Sequence, residues 1–448
     1  MNSLTDLSDR AKSIKGFGAD AVELFGLEER SFEIDVRDGN VENAQSKVDS
    51  GIGIRIIRDS TPGFAFTADL TDRAIEEAGR DAIEVAKLGD KDKHLVLPHP
   101  VRLFRSKDYY DAEIATVPPQ EKIERARKME IAAKASSAKV KRTDIARYMD
   151  GETELFVVNT NGVAASYKKS MCGGFIDSIA EENGNAESGF AMSFGTHYKD
   201  FDAEEIGKEA GEEAAAFLGA TPVPGGKYTV LLRPLAATAF LDFLAHALSA
   251  DAIQKGKSPF RGKIGTQVGT EKFTLIDDPD RERAVGSQPI DTEGTPSRKI
   301  TLIENGTLRG FIHNMRSASQ EGTQSTGHAA RGSYKTPPII GPTNLFIQPG
   351  DMSREKIIGQ TARGIILHRV IGAHTINPIS GDFSVGGAGY LIENGAISRP
   401  TSKITFSGNL FEYLRRIVLV GNDLQFYPGN GNIGSGTIAI ADGQISGL

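Results

Sequence analysis

Eight histidines and one cysteine bound the metal and nucleophile chemistry open to this 448-residue chain. The histidines are His94, His99, His197, His246, His313, His328, His368 and His374. No two stand four residues apart, the spacing by which a His-Glu-x-x-His helix turns two imidazoles toward one zinc ion. His94 and His99 fall in a stretch that reads as a linker, where a solvated ring is expected. His246 follows Asp242 by one helical turn on a nearly all-apolar segment, so the two side chains share a face. Either Asp242 satisfies a buried imidazole, or Asp242 is a base or His246 a ligand. His328 and Arg331 belong to Ser325-Thr326-Gly327-His328-Ala329-Ala330-Arg331-Gly332-Ser333-Tyr334. Small residues, hydroxyls and one cation suit a ligand-facing loop, and they equally suit a packed Ω-loop. Asp277, Asp278 and Asp280 read as a turn, although calcium could use such oxygens. Gly386-Gly387-Ala388-Gly389 lacks the spacing and the Lys-Ser/Thr of a phosphate loop and reads as a bend in a sheet. Cys172, between Met171 and Gly173, has no Cys/His motif around it and reads as a structural thiol. No G-x-S-x-G elbow and no P-loop occurs.

The elements that must position these residues follow from periodicity and turn signals. Residues 4–15 have helical spacing of Leu4, Leu7, Ala11 and Ile14. Strands are expected at 31–36, 41–49, 51–57 and 64–67, with a hairpin turn at Asp38-Gly39-Asn40. A helix over 69–88 follows, N-capped by Thr71. After a linker at 91–100 the order returns. A helix spans 118–137, strands lie at 143–148, 153–159, 163–171 and 174–181, and a helix covers 203–218. Helix–meander–helix twice over suggests an architectural duplication. Pro222-Val223-Pro224-Gly225-Gly226 is the clearest boundary. Beyond it come an apolar strand at 228–232, an apolar helix over 234–250, and many short strands. Asn305-Gly306 and Asn394-Gly395 are type I′ hairpin turns by composition. The fold class is therefore α+β. An N-terminal α/β domain (1–90), a middle α/β domain (101–221) and a β-rich domain (226–448) are expected, the last a large curved antiparallel sheet or barrel.

Composition agrees. Fifty glycines, about 11 % against a usual 7 %, with only 19 prolines, point to many turns rather than low complexity. The net charge of −7 argues against general attraction to nucleic acid or anionic membranes. The first residues lack a basic and an apolar region, so no signal peptide is expected, and no apolar run nears the roughly 18 residues of a membrane span. One cysteine fits a reducing compartment.

The C-terminal half carries an ordered set of short motifs. It runs Lys255-Gly256-Lys257-Ser258-Pro259-Phe260, Gly262-Lys263-Ile264-Gly265, Asp277-Asp278-Pro279 and Asp291-Thr292-Glu293-Gly294-Thr295-Pro296. Then come Ile303-Glu304-Asn305-Gly306-Thr307-Leu308, Ser325-Thr326-Gly327-His328 and Thr343-Asn344-Leu345. Asn377-Pro378-Ile379-Ser380-Gly381-Asp382-Phe383-Ser384 and Val420-Gly421-Asn422-Asp423 complete it. Together these resemble the TldD/PmbA family over essentially the whole chain, most specifically residues 225–448.

The resemblance implies a cytoplasmic protease assembly of two related subunits, with an N-terminal α/β portion and a barrel-like C-terminal domain. TldD-type chains carry an HExxxH zinc helix and a further cysteine ligand near the C-terminus. Aligned on Lys255-Gly256-Lys257-Ser258, that motif falls on Leu241 to His246: Leu241 replaces the first histidine, Asp242 the glutamate, and only His246 matches. Residues 422–436 hold no cysteine. The chain thus resembles the PmbA (TldE) branch. This implies a non-catalytic subunit without its own metal, a zinc-bearing TldD-like partner, and a role in degrading unfolded peptides or processing precursors such as microcins. His328, Arg331, Asn377 and Asp382 are expected to face the peptide cavity. Neither nucleic acid nor membrane is an expected partner, and a homodimer is possible without the TldD-like chain. Two other readings stay open: a free-standing metallopeptidase built on His246 and Asp242, and a non-catalytic peptide- or protein-binding homodimer.

Overall fold

The computed structural model describes residues 4–101 and 108–447. The first half repeats one unit. Helix α1 (Leu4–Lys15) leads to strands β1 (Ala21–Arg37), β2 (Asn40–Arg58) and β3 (Thr61–Thr67) and helix α2 (Asp72–Ala86). After a one-turn helix α3 (Glu113–Thr116), helix α4 (Pro119–Ser136) leads to β4 (Val140–Asn159), β5 (Ala164–Glu182) and β6 (Asn185–Gly195) and helix α5 (Ala203–Phe217). The two units share one curled antiparallel sheet of order β3-β2-β1-β4-β5-β6, mirrored about the β1/β4 pair.

Alternation along these strands divides the sheet into two faces. Val22 and Leu24 of β1, Ile52, Ile54 and Ile56 of β2, and Val158 of β4 pack under Leu7, Ala11 and Ile14 of α1 and Ile75 and Ile83 of α2. Ile34, Tyr148, Cys172 and Ile176 do the same under Met129 and Ala133 of α4 and Ile206 and Ala210 of α5. The helices so cover one face, and the other is left for the C-terminal half. The strands are longer than their sequence suggests. Residues 41–49 and 51–57 are one strand, as are 143–148 with 153–159, and 163–171 with 174–181. Gly51, Gly151 and Gly173 sit inside these strands because something lies against them. A Cβ on Gly51 would fall 2.2 Å from the Tyr334 ring, and one on Gly173 2.5 Å from Phe194. Strand β6 goes beyond the strands expected from sequence, although Asn183-Gly184 ahead of it adopts positive φ (51° and 77°) as a tight hairpin requires.

The C-terminal half begins with β7 (Gly226–Leu232) and helix α6 (Pro234–Ala247). Strands β8 (Leu275–Asp277), β9 (Ile300–Glu304), β10 (Thr307–Leu308), β11 (Ala329–Ala330), β12 (Ile339–Ile340) and β13 (Asn344–Ile347) follow. Then come β14 (Arg363–Ile371), β15 (Asp382–Glu393), β16 (Ala396–Asn409), β17 (Ile417–Val420), β18 (Gln425–Gly429), β19 (Gly431–Ser435) and β20 (Ile438–Ser446). Strands β7, β14, β15, β16 and β20 close a five-stranded barrel, and β10-β9-β8-β13-β19-β18 form a second sheet. Each contains one parallel pair, β7/β14 and β13/β19. Both Asn-Gly hairpins have positive φ at both turn residues: Asn305 46° and Gly306 75°, Asn394 52° and Gly395 77°. Helix α6 ends at Ala247, three residues earlier than the apolar run suggests, because Ser249 N-caps a new short helix. Phe240 of α6 meets Phe383 and Phe406 with ring centroids 4.9 and 5.8 Å apart, anchoring the helix in the core of this half.

No helix among the described residues is long and apolar enough to cross a membrane.

Candidate functional site

The uncovered face of the N-terminal sheet and the C-terminal half enclose a cleft of about 570 Å³. Its sheet wall is Phe25, Leu27 and Glu29 of β1, Thr153 and Leu155 of β4, and Tyr167 and Lys169 of β5. The opposite wall brings Asp242, Ala245 and His246 from α6, the Gly429-Asn430-Gly431 hairpin tip, and residues 339–343. A second cavity of about 360 Å³ continues along the same strands, lined by Ser31, Glu33, Met149, Gly151 and Met171. The two meet at Glu29, Thr153 and Lys169, which line both. These three are direct neighbours across β1, β4 and β5 (Glu29↔Thr153, Thr153↔Lys169) and hence share one face. The result is a trough along the strands, apolar at the Phe25–Leu155–Tyr167 end, charged at the Glu29–Thr153–Lys169 row, and mixed beyond it, where Met149 and Met171 stand with Glu33 and Lys47. Its size lies in the range of pockets that enclose small ligands.

The three degenerate motif positions part company. Leu241 is 3 % exposed and belongs to the core of the C-terminal half. Asp242 accepts hydrogen bonds on both oxygens from Asn430, at 2.9 Å from the backbone N–H and 3.0 Å from Nδ2. His246 is exposed and faces the cleft. Asp242 and His246 therefore share the cleft wall, as their spacing indicates, but Asp242 is engaged by the β18–β19 tip.

His328 and Arg331 lie in a buried polar layer between the sheet and the C-terminal loops. His328 is fully buried. Its Nδ1 is 2.9 Å from the Thr326 hydroxyl and its Nε2 3.2 Å from Asp277 Oδ1. Asp277 also accepts from the backbone N–H (2.9 Å) and the hydroxyl of Thr343. Arg331, also buried, pairs with Glu23 and lies over the Phe25 ring, 4.6 Å from its centroid, while reaching the cleft lining. Glu23 pairs again with Arg55 at 2.7 Å, and Arg55 with Glu293 at 2.8 Å. Burial opposes the charge of Arg55, but Glu23 and Glu293 outweigh it and hold the guanidinium above its usual range. Burial pulls Arg331 the other way, with Glu23 opposing and Arg55 adding to the effect. Asp291 accepts the backbone N–H groups of Glu293, Thr295 and Ala329 at 2.9–3.0 Å. Burial, then the Glu293 charge, still drives its carboxyl above the ordinary range.

Asn377 and Asp382 are elsewhere, on the exposed turn that leads into β15 and on that strand's first residue. Asn377 Oδ1 accepts from the backbone N–H groups of Ile379 and Ser380 at 2.9 and 3.0 Å. Asp382 accepts from Asn409 Nδ2 at 2.8 Å and the Ser380 hydroxyl at 2.7 Å, which lower its carboxyl pKa. Neither residue lines the trough. The Asp277–Asp280 segment works as the turn its composition suggests: the Asp280 N–H donates to Asp278 Oδ1 at 3.0 Å. Cys172 is buried and donates to the His197 carbonyl at 2.9 Å, and burial pushes its thiol up to about 12.

Sequence reasoning does not single out Glu23, Arg55, Lys169 or Asn430. Glu23 and Arg55 occupy apolar strands on the face away from α1 and α2, a pattern that alternation alone exposes. Ala165, Tyr167 and Lys169 likewise share one parity along β5. Asn430 stands between two glycines, the mark of a tip reaching toward something.

Similarity to known proteins is consistent along the chain. Profiles of PmbA/TldA metallopeptidase domain 1, central domain and C-terminal domain match residues 22–86, 112–218 and 225–447. An uncharacterized protein of Methanocaldococcus jannaschii is 30 % identical over 93 % of this chain and 95 % of its own. Metalloprotease PmbA of Escherichia coli is 26 % identical over 96 % and 93 %. A Metalloprotease TldD homolog of Haemophilus influenzae is 27 % identical over 89 % and 85 %. Among solved structures, TldE from Thermococcus kodakarensis superposes with a TM-score of 0.91 at 25 % identity, covering 98 % of this chain and 100 % of that one. The sequence motifs, the barrel behind a curled sheet and these matches together make the chain a member of the PmbA/TldD metallopeptidase family.

Proposed function

We propose that this chain is the PmbA/TldE-type subunit of a cytoplasmic two-subunit peptidase, and that it has no zinc site of its own. The observation that carries this reading is the state of helix α6. A three-ligand zinc set needs side chains that converge. At the first ligand position Leu241 is core, Asp242 is held on both oxygens by Asn430, and His246 stands alone. Among the described residues no group of three or more His, Cys, Asp or Glu side chains is placed to hold a metal. These residues do not fit the ion, so the hydrolytic centre is assigned to a TldD-like partner. The chain's own contribution is the trough, which holds an extended, unfolded peptide and excludes folded protein.

Co-expression with a TldD-type chain that retains HExxxH tests this directly. A stable complex that digests casein or an unfolded peptide, loses that activity on chelation, and is inactive when either chain is omitted is the expected result. Stoichiometric zinc on the isolated chain, or chelator-sensitive cleavage by it alone, would sink the proposal in favour of a free-standing peptidase.

A further inference from the structure

Several buried cations among the described residues have carboxylate partners. Arg55 and Arg331 share Glu23, and Lys122 lies 2.6 Å from Asp150. Lys169 is the exception in the trough. Among the described residues no acceptor and no carboxylate is in contact with its ammonium, although the side chain is half-buried. Burial lowers its pKa, and the charge of Glu29, the exposed residue on the far side of Thr153, opposes that effect. One intervening strand separates Glu29 from Lys169, so their Cα atoms are on the order of 10 Å apart. Lys168, its neighbour in the chain, points to the other face and pairs with Glu154 at 3.2 Å.

A partly desolvated ammonium that opens on the cavity and has no protein partner among the described residues is poised for an arriving anion, because a charge-assisted hydrogen bond offsets what burial removes. Its surroundings say what else the ligand carries. Leu27, Leu155 and Tyr167 stand on one side of the Glu29–Thr153–Lys169 row, and Met149 and Met171, with Glu33 and Lys47 beside them, on the other. We propose that Lys169 is a carboxylate-binding site at the middle of the trough, selecting peptides that present a carboxylate next to apolar residues. This rests on the trough being where peptide lies. The carboxylate is either an acidic side chain or a peptide C-terminus, and both have the same chemistry.

The test uses the full-length chain and fluorescently labelled eight-residue apolar peptides, read by anisotropy without cleavage. One peptide has a central Glu and an amidated end, one a central Gln and an amidated end, and one is apolar with a free C-terminal carboxylate. The wild type is expected to bind one of the two carboxylate-bearing peptides at least about tenfold more tightly than the neutral one; which one identifies the source. Lys169→Gln should abolish that preference while leaving the neutral peptide's affinity unchanged, and Lys169→Arg should restore most of it. Lys168→Gln should change nothing. Glu29→Gln should tighten carboxylate binding by removing a competing negative charge. Equal binding of all three peptides to the wild type, or an undiminished preference in Lys169→Gln, overturns the proposal while leaving the trough reading intact. Failure of the wild type to bind any peptide overturns both.

Discussion

Removing the Arg331 guanidinium leaves Glu23 buried with Arg55 as its one remaining cation. Because Arg55 still neutralises that carboxylate, the loss is that of one buried charge-assisted contact, about 1–3 kcal/mol, so Arg331→Ala should lower the urea midpoint measurably. Asn430→Ala should be mild, about 1 kcal/mol, because Asp242 then regains water in the cleft; a large loss would show that the Asn430–Asp242 contact holds the hairpin in place. Cys172 should not react with a thiol reagent at pH 8 in the native protein, since its pKa is pushed up to about 12 and the group is buried. In denaturant the chain should release one equivalent. At this scale the sequence is legible where one turn of helix suffices to place a side chain, as for Asp242 and His246. It is not legible where partners come from distant strands. The loop chemistry around His328 and Arg331 is visible in the sequence, but Glu23 lies 308 residues from Arg331 in the chain, and only the folded sheet brings them together.

Elements are readable by type more than by extent. Helices and Asn-Gly hairpins have local causes, such as the Thr71 hydroxyl accepting from the Ala74 N–H at 3.4 Å, and they fall where their residues indicate. Strand lengths do not, because a glycine inside a strand looks the same in sequence as one that ends it. Gly51→Ala tests that distinction: the added Cβ must displace the Tyr334 ring, which should cost about 1–3 kcal/mol of stability, measurable by thermal melting. Helix α5 carries a pH-dependent contribution. Burial against β14 raises the Glu213 carboxyl to about 7, with Arg369 and Arg233 opposing the shift and Glu209 supporting it. A raised carboxyl favours the protonated fold, so its contribution is complete below the unfolded pKa and is lost as pH rises through about 7. Glu213→Gln should therefore gain on the wild type by about 1–3 kcal/mol between pH 5 and pH 8, measured as urea midpoints at the two pH values.

On the scale of the whole molecule, the Arg331–Glu23–Arg55–Glu293 chain ties the first two strands of the N-terminal sheet to two loops of the C-terminal half. The apolar face beside it, Phe25, Leu155 and Val157, is covered by Val163 and Tyr334. Neither half keeps that layer satisfied alone, so calorimetry should record one cooperative transition, and two separated transitions would contradict a shared layer. The trough crosses this same junction, and its length has a further meaning. Its sheet wall runs from the Phe25 row to the Glu33 row. At about 3.3 Å per residue that is a span on the order of 26 Å, the length of roughly eight residues of extended chain. The sheet is thereby a ruler: binding strength should climb with each residue added up to that length and level off beyond it, so that short fragments escape and longer chains are held by one segment at a time.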